Sequence, residues 1–313
     1  MKRERIRRRT YLISTIGVAE ATAAERESCK IVRFSDVGWT DITATTATVS
    51  VVLEALGYQP QTQILSIPVT YASMKNKDID VYLGDWQPAS EADRKPYLDD
   101  GSIEVLSANL TGAKYTFAVP KYVAAAGVKD FADLQKFADK FSKKIYGIEP
   151  GNNGNRMIID MIDKGDFGLA DWEIVESSEQ GMLTGVERAI NNKDWVVFLA
   201  WAPHPMNSKF EIEYLSGGDA YFGPNFGGAD VFTDIRAGYG AECPNVVKFL
   251  SNLRFTLEME NELMAVIMDG TDPKVAATAW LKAHPEAVEL WLTGVATFDG
   301  TPATDVVMSG IGQ

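Results

Sequence analysis

Three strand-like runs in this chain each finish on a tryptophan beside turn chemistry, and that recurrence constrains the fold more than any other feature. Asp78 to Ser90 (DIDVYLGDWQPAS) alternates Ile79, Val81 and Leu83 with Asp80, which predicts a buried strand over 79–83 that Gly84 stops before Trp86. Ile31 to Trp39 (IVRFSDVGW) and Trp195 to Trp201 (WVVFLAW) repeat the grammar. In open parallel α/β sheets, ligands sit outside the carboxyl ends of the strands. Three indoles brought to that edge imply an aromatic-walled pocket, whose natural guest is a cation without hydrogen-bond donors.

The surrounding pattern supplies the sheet. Strands are expected at 30–34, 63–67 and 79–83, with helices at 43–56 and 69–77 between them, a strand–helix alternation that points to parallel α/β architecture. Thr111 to Val119 reads as an extended crossing segment with Tyr115 in its middle. A second α/β unit follows: an amphipathic helix over 130–141, a strand at 145–148, the turn EPGNNGNR opening a helix near Arg156, and a strand–helix–strand set over 172–200. After the glycine-rich GGDAYFGPNFGGAD come a strand at 231–236 and helices at 245–258, 260–268, 273–284 and 285–292. The expected division is a leader over 1–24, one lobe from 25–111 and 216–313, and a second lobe from 112–215.

Length and composition are those of an ordinary globular protein with room for two lobes: 313 residues, 46% hydrophobic and 23% charged. The formal charge of −13 argues against nucleic acid and anionic membrane faces as partners and is compatible with small cations. Residues 1–24 run from a basic stretch (Arg3, Arg5, Arg7, Arg8, Arg9) through a short apolar one to Ala19-Glu20-Ala21 and Ala21-Thr22-Ala23. That is the layout of a secretory signal peptide, with a twin-arginine flavour at Arg8-Arg9. Cys29 and Cys243 are the two cysteines. Two buried thiols would suit a cytosolic protein, and one long-range disulfide an exported one.

The chemistry of turnover is missing from the sequence. His204 and His284 lack partner motifs at ligand spacing, and there is no nucleophile elbow, zinc-protease helix, P-loop or dinucleotide fingerprint. The expectation is a binding protein with no cofactor and no metal. Trp172, Trp195, Trp280 and Trp291 fall inside helix or strand patterns and read as core, whereas Trp39, Trp86 and Trp201 sit beside Gly38, Gly84 and Pro203. A quaternary ammonium is held by ring quadrupoles and shape, at about 0.5–2 kcal/mol per ring, so several rings are needed. Asp41, two residues after Trp39, offers a counter-charge or an acceptor for a hydroxyl proton. Asn152 either bonds a ligand in a cleft or caps the helix that follows it.

The stretches SDVGWTDITATTA, VYLGDWQPA, EPGNNGNR, VVFLAWAPHPMN and GAECPNVVKFL resemble the periplasmic substrate-binding proteins of quaternary-amine ABC transporters, over essentially the whole of 29–298. The resemblance implies a type II periplasmic binding-protein fold: two α/β lobes, each a sheet flanked by helices, joined by a two-segment hinge. It implies an aromatic box of Trp39, Trp86, Tyr115 and Trp201 around a trimethylammonium group, with Asp41 and Asn152 near an alcohol end. Tyr115 enters only through the resemblance. The resemblance also implies a Cys29–Cys243 disulfide, a membrane permease as partner and a periplasmic location, and a monomer is expected. The expected ligand is choline, with acetylcholine or a betaine as other candidates. Glycine betaine or proline betaine is the runner-up, disfavoured because Asp41 would repel a carboxylate and no Arg or Lys adjoins the aromatics.

Overall fold

The structure is a computed structural model, and it describes residues 24–312. The signal-like leader therefore lies outside the described residues, apart from Ala24. Nine strands form one mixed sheet in the order β2-β1-β3-β9-β4-β7-β5-β6, with β8 added to β4. They are β1 (Ile31–Asp36), β2 (Gln59–Ile64), β3 (Val81–Gln87), β4 (Ile103–Pro120), β5 (Lys144–Tyr146), β6 (Glu173–Val175), β7 (Phe198–Ala202), β8 (Ile212–Tyr214) and β9 (Gly228–Arg236). At one end β1 pairs in parallel with β2 and β3; at the other, β5 pairs in parallel with β6 and β7. Crossover helices cover these ends, as parallel pairing requires. Antiparallel pairs of β9 with β3 and β4, and of β4 with β7, join them.

The expected crossing segment at 111–119 is the second half of one 18-residue strand, β4, which begins at Ile103. Its first part, Ile103 to Lys114, pairs with β9, and Lys114 to Ala118 pairs with β7. Three register shifts between Val105 and Ala113 interrupt the β4–β9 ladder. Such irregularities bend a strand and increase its twist, which lets one strand serve both ends of the sheet.

Three further expectations shift. Gly84 does not end its strand: β3 continues through Gly84 and Trp86 to Gln87. The glycine is there for close approach, because a Cβ at that position would stand 2.8 Å from Ile42 Cγ1 and Cδ1 on the neighbouring helix. The amphipathic run at 130–141 forms a tight 3₁₀ segment, Phe131–Phe137, capped by Asp130. The helix expected over 245–258 stops at Asn252, and the next runs Leu257–Met268 from a Thr256 cap.

Helix α1 (Thr40–Ala55) is the centre of its layer. It packs on β1 and β3 and is covered by helices Leu257–Met268, Pro273–Ala283 and Ala303–Gly312. Its sequence suits a helix buried nearly all round: small residues allow close packing, and Thr45 and Thr48 return their hydroxyls to the carbonyls of Asp41 and Ala44. Helices α2 (Ile67–Lys75), α3 (Glu91–Asp99), α4 (Lys121–Ala125), α5 (Asn153–Lys164) and α6 (Glu179–Asn192) follow in chain order. Cys29 and Cys243 form the disulfide, tying the start of the described chain to the segment just after β9.

Candidate functional site

Four sequence segments deliver rings to one place. Trp39 occupies the N-cap position of α1 in an extended conformation, and Asp41 lies in that helix's first turn. Trp86 stands near the end of β3. Tyr115 on β4 is the direct cross-strand partner of Trp201 on β7. Trp86 and Trp201 thus sit inside their strands rather than past them, and each is followed two positions later by a cis-proline, Pro88 or Pro203. Ring centroids of Trp86 and Tyr115 are 6.2 Å apart, and those of Tyr115 and Trp201 6.3 Å.

These residues enclose a small cavity lined by Trp39, Asp41, Trp86, Tyr115, Ile148, Asn153 and Trp201. No lysine or arginine is among the lining residues. The four rings are each at most 7% exposed. Three of them are oriented by a hydrogen bond. Trp39 Nε1 donates to Glu149 Oε1 at 2.9 Å, Trp86 Nε1 to Asp41 Oδ2 at 3.0 Å, and the Tyr115 hydroxyl to Asn152 Oδ1 at 3.0 Å. With those polar edges occupied by protein, what the rings offer inward is their faces and apolar edges.

The surrounding charge is acidic. Burial, and secondarily the charge of Glu179, pushes the Asp41 carboxyl up to about 7, against which the Trp86 indole works by bonding it. Asp41 Oδ1 is buried and has no hydrogen-bond partner. Burial likewise raises Glu149, and raises Glu260, behind Asp41, well above the carboxylate range. A buried carboxyl without a paired base favours its neutral form unless a cation arrives.

Of the six residues singled out by sequence, five surround the cavity. Asn152 does not line it. It caps α5, accepting from Gly154 N at 2.7 Å and Asn155 N at 3.4 Å, and it holds the Tyr115 hydroxyl from behind. The neighbouring Asn153 is the one on the wall, and its Nδ2 donates to Ser90 Oγ at 3.0 Å. Ile148, Glu149 and Asn153 were missed, although all three flank or belong to EPGNNGNR, the turn that the sequence flagged for its glycines. Gly154 in that turn explains one of them: a Cβ there would fall 2.0 Å from the Tyr115 hydroxyl oxygen.

Residues 30–283 match the family model described as the substrate binding domain of an ABC-type glycine betaine transport system. The chain belongs to that family. An ABC-transporter choline binding protein in complex with choline superposes with a TM-score of 0.90 at 58% identity, covering 92% of this chain and all of that one. The unliganded semi-closed form of an ABC-transporter choline binding protein gives 0.85 at 59% identity with the same coverage. Lactococcal OpuAC, closed and complexed with glycine betaine, gives 0.76 at 27% identity, covering 84% of this chain and 99% of that one. The family is one of transport proteins that bind substrate, and no helix among the described residues is long and apolar enough to cross a membrane.

Proposed function

We propose that this chain binds choline in the aromatic cavity and delivers it to the permease of an ABC uptake system, outside the cytoplasmic membrane and without catalysing a reaction. The observation that carries the reading is four buried rings around one cavity that has an acid and no basic side chain in its wall. A trimethylammonium group has no donor to satisfy, so rings replace its hydration, and their contributions of about 0.5–2 kcal/mol each add up to useful affinity. Asp41 Oδ1 is the free acceptor for the choline hydroxyl.

The cavity lies between a lobe formed by 25–111 and 216–313 and a lobe formed by 112–215. Trp39, Asp41 and Trp86 belong to the first; Tyr115, Asn153 and Trp201 belong to the second. A ligand touching both favours the closed arrangement by its differential affinity for it. Contacts across this division support a closed arrangement here: Trp39 with Glu149, Thr40 with Glu179, Ser90 with Asn153 and Asp93 with Arg156. The higher similarity to a choline-bound relative than to an unliganded semi-closed one agrees.

A second reading, glycine betaine or proline betaine, has the family description behind it. It is disfavoured by Asp41, which would face the betaine carboxylate with no basic residue in the wall to balance it. A thermal-shift panel of choline, acetylcholine, glycine betaine, proline betaine and carnitine tests both, since a ligand at about 100 times its Kd adds about 2.7 kcal/mol to the native state. Choline giving the largest shift is expected; a larger shift with a betaine would move the assignment to the second reading.

A further inference from the structure

Helix α1 begins without a cap of its own. Trp39 holds the N-cap position, yet its side chain caps no amide of the helix: an indole N–H can only donate, and here it donates to Glu149. The first amides of a helix have no intrahelical acceptor, and here the first residue, Thr40, is buried. The acceptor comes from a distant part of the chain. Glu179, first residue of α6 and itself buried, accepts the Thr40 backbone N–H on Oε2 at 2.9 Å and the Thr40 hydroxyl on Oε1 at 2.6 Å.

The same carboxylate reaches the other side of the box. His204 Nδ1 accepts the Met206 backbone N–H at 2.9 Å, so the ring proton available to Glu179 is on Nε2, which lies 3.1 Å from Oε1. The His204 ring stands edge-on to the Trp201 indole, centroids 4.9 Å apart. One carboxylate therefore touches the residue next to Trp39 and, through a fully buried imidazole, the wall that carries Trp201.

We propose that Glu179 is the closure latch of this protein: a positioning residue that caps helix α1 from the opposite lobe only when the lobes meet, and so fixes the first turn that carries Trp39 and Asp41 against the wall that carries Trp201. The inference rests on the two-lobe binding reading above. Of the contacts across the division, Asp93–Arg156 is the rim pair, with the guanidinium partly exposed, and such pairs contribute little. The Glu179 contact is buried, charge-assisted and made to a helix end, where a carboxylate also meets the favourable pole of the helix dipole. Opening returns two donors, the Thr40 amide and hydroxyl, to water at once; closing with the wrong group at 179 leaves the Thr40 amide buried and unpaired. The latch acts on the lifetime of the closed complex rather than on encounter.

The test is stopped-flow tryptophan fluorescence of choline binding by wild type, Glu179→Gln and Thr40→Val. Glutamine keeps the size but offers one good acceptor oxygen in place of two. The expected result for Glu179→Gln is a dissociation rate about tenfold faster, equivalent to about 1.4 kcal/mol, with the association rate within about threefold. Thr40→Val retains the carboxylate and the amide but loses the hydroxyl, so it moves the dissociation rate in the same direction by a smaller factor. The melting temperature of the ligand-free variants stays near wild type while that of the choline complexes falls. An unchanged dissociation rate in Glu179→Gln overturns the latch. So does an effect confined to Glu179→Gln and absent in Thr40→Val, which would mean that the charge acts on the cation directly. Equal loss of melting temperature with and without ligand also overturns it, as a plain structural role. If wild type fails to bind choline, the ligand assignment falls, and the same rate ratios are read with glycine betaine, for which the latch predicts the same pattern.

Discussion

The Trp86 indole N–H donates to Asp41 Oδ2 at 3.0 Å, clamping one wall of the aromatic cavity to the acid that gives the cavity its charge. The bond occupies one carboxylate oxygen and leaves the other without a partner. The acid is therefore held in place but not neutralised, and its titration becomes a readout of the site.

Asp41 has an ordinary value of 3.8 and is pushed up to about 7 in the fold, by burial first and by Glu179 second. A carboxyl that binds its proton more tightly folded than unfolded contributes stability that is full below the unfolded value and is lost as pH rises through the folded one. The melting temperature of ligand-free protein is thus expected to fall between about pH 4 and about pH 7. The choline-induced shift grows over the same range, because a bound cation favours the carboxylate. Asp41→Asn reduces both slopes. Glu260, raised for the same reason, leaves a residual slope in the variant. Scanning fluorimetry against pH, with and without choline, checks each sign.

Replacing Trp86 by alanine removes a desolvated ring face and releases Asp41 from its clamp. Choline affinity is expected to fall at least about tenfold, with a cation–π share of up to about 2 kcal/mol. Asp41→Asn keeps the shape and loses the charge, so it should weaken choline more than glycine betaine. Calorimetry on both variants separates wall from charge; equal losses for both ligands in Asp41→Asn would contradict the role given to that acid.

Gly154→Ala places a methyl 2.0 Å from the Tyr115 hydroxyl and 2.7 Å from its ring carbon Cζ. The position is helical, with no positive φ to strain. Displacement of Tyr115 is the expected effect, with choline affinity down by about an order of magnitude and circular dichroism unchanged. Adding Tyr115→Phe removes the nearest clashing atom and should restore part of the affinity, as measured by titration of the double variant.

The disulfide bears on stability, not on the box. It closes a 214-residue separation, for which the chain-entropy model gives about 4–5 kcal/mol. Reduction, or the double Cys→Ser variant, should lower the denaturation midpoint clearly while choline affinity stays within about twofold. Urea titrations followed by binding at zero denaturant check both halves.

Much of this was legible in the sequence because it rests on short-range patterns. The alternation over Ile79 to Leu83 predicts a strand, and the placing of Trp39, Trp86 and Trp201 beside turns predicts a shared edge. The boundary at Gly84 was not legible. Glycine usually breaks a strand, and the reason it does not here is the approach of Ile42 from α1, a contact across 42 positions of chain. The 3₁₀ segment at Phe131–Phe137 has the same spacing of apolar residues as an α-helix of that length, so periodicity could not separate them. At the site, the three indoles announced themselves, Tyr115 came only through the family resemblance, and the supports were not legible. Glu149, Asn153 and Glu179 are ordinary polar residues in turns and helix starts, and what gives them roles is a partner from another part of the chain: Trp39, Ser90 and Thr40. Asn152 was a choice between ligand contact and helix cap. It caps α5 and holds Tyr115, and the wall position belongs to the next residue.

The central claim is that four rings and an acid, with no base in the wall, select a donor-free cation bearing an alcohol. Isothermal titration of the wild-type protein with choline and with glycine betaine, in one buffer near neutral pH, tests it most directly. The account predicts saturable choline binding that is tighter than glycine betaine binding by about an order of magnitude or more. Betaine binding equal to or tighter than choline binding, or no choline binding at all, would contradict it.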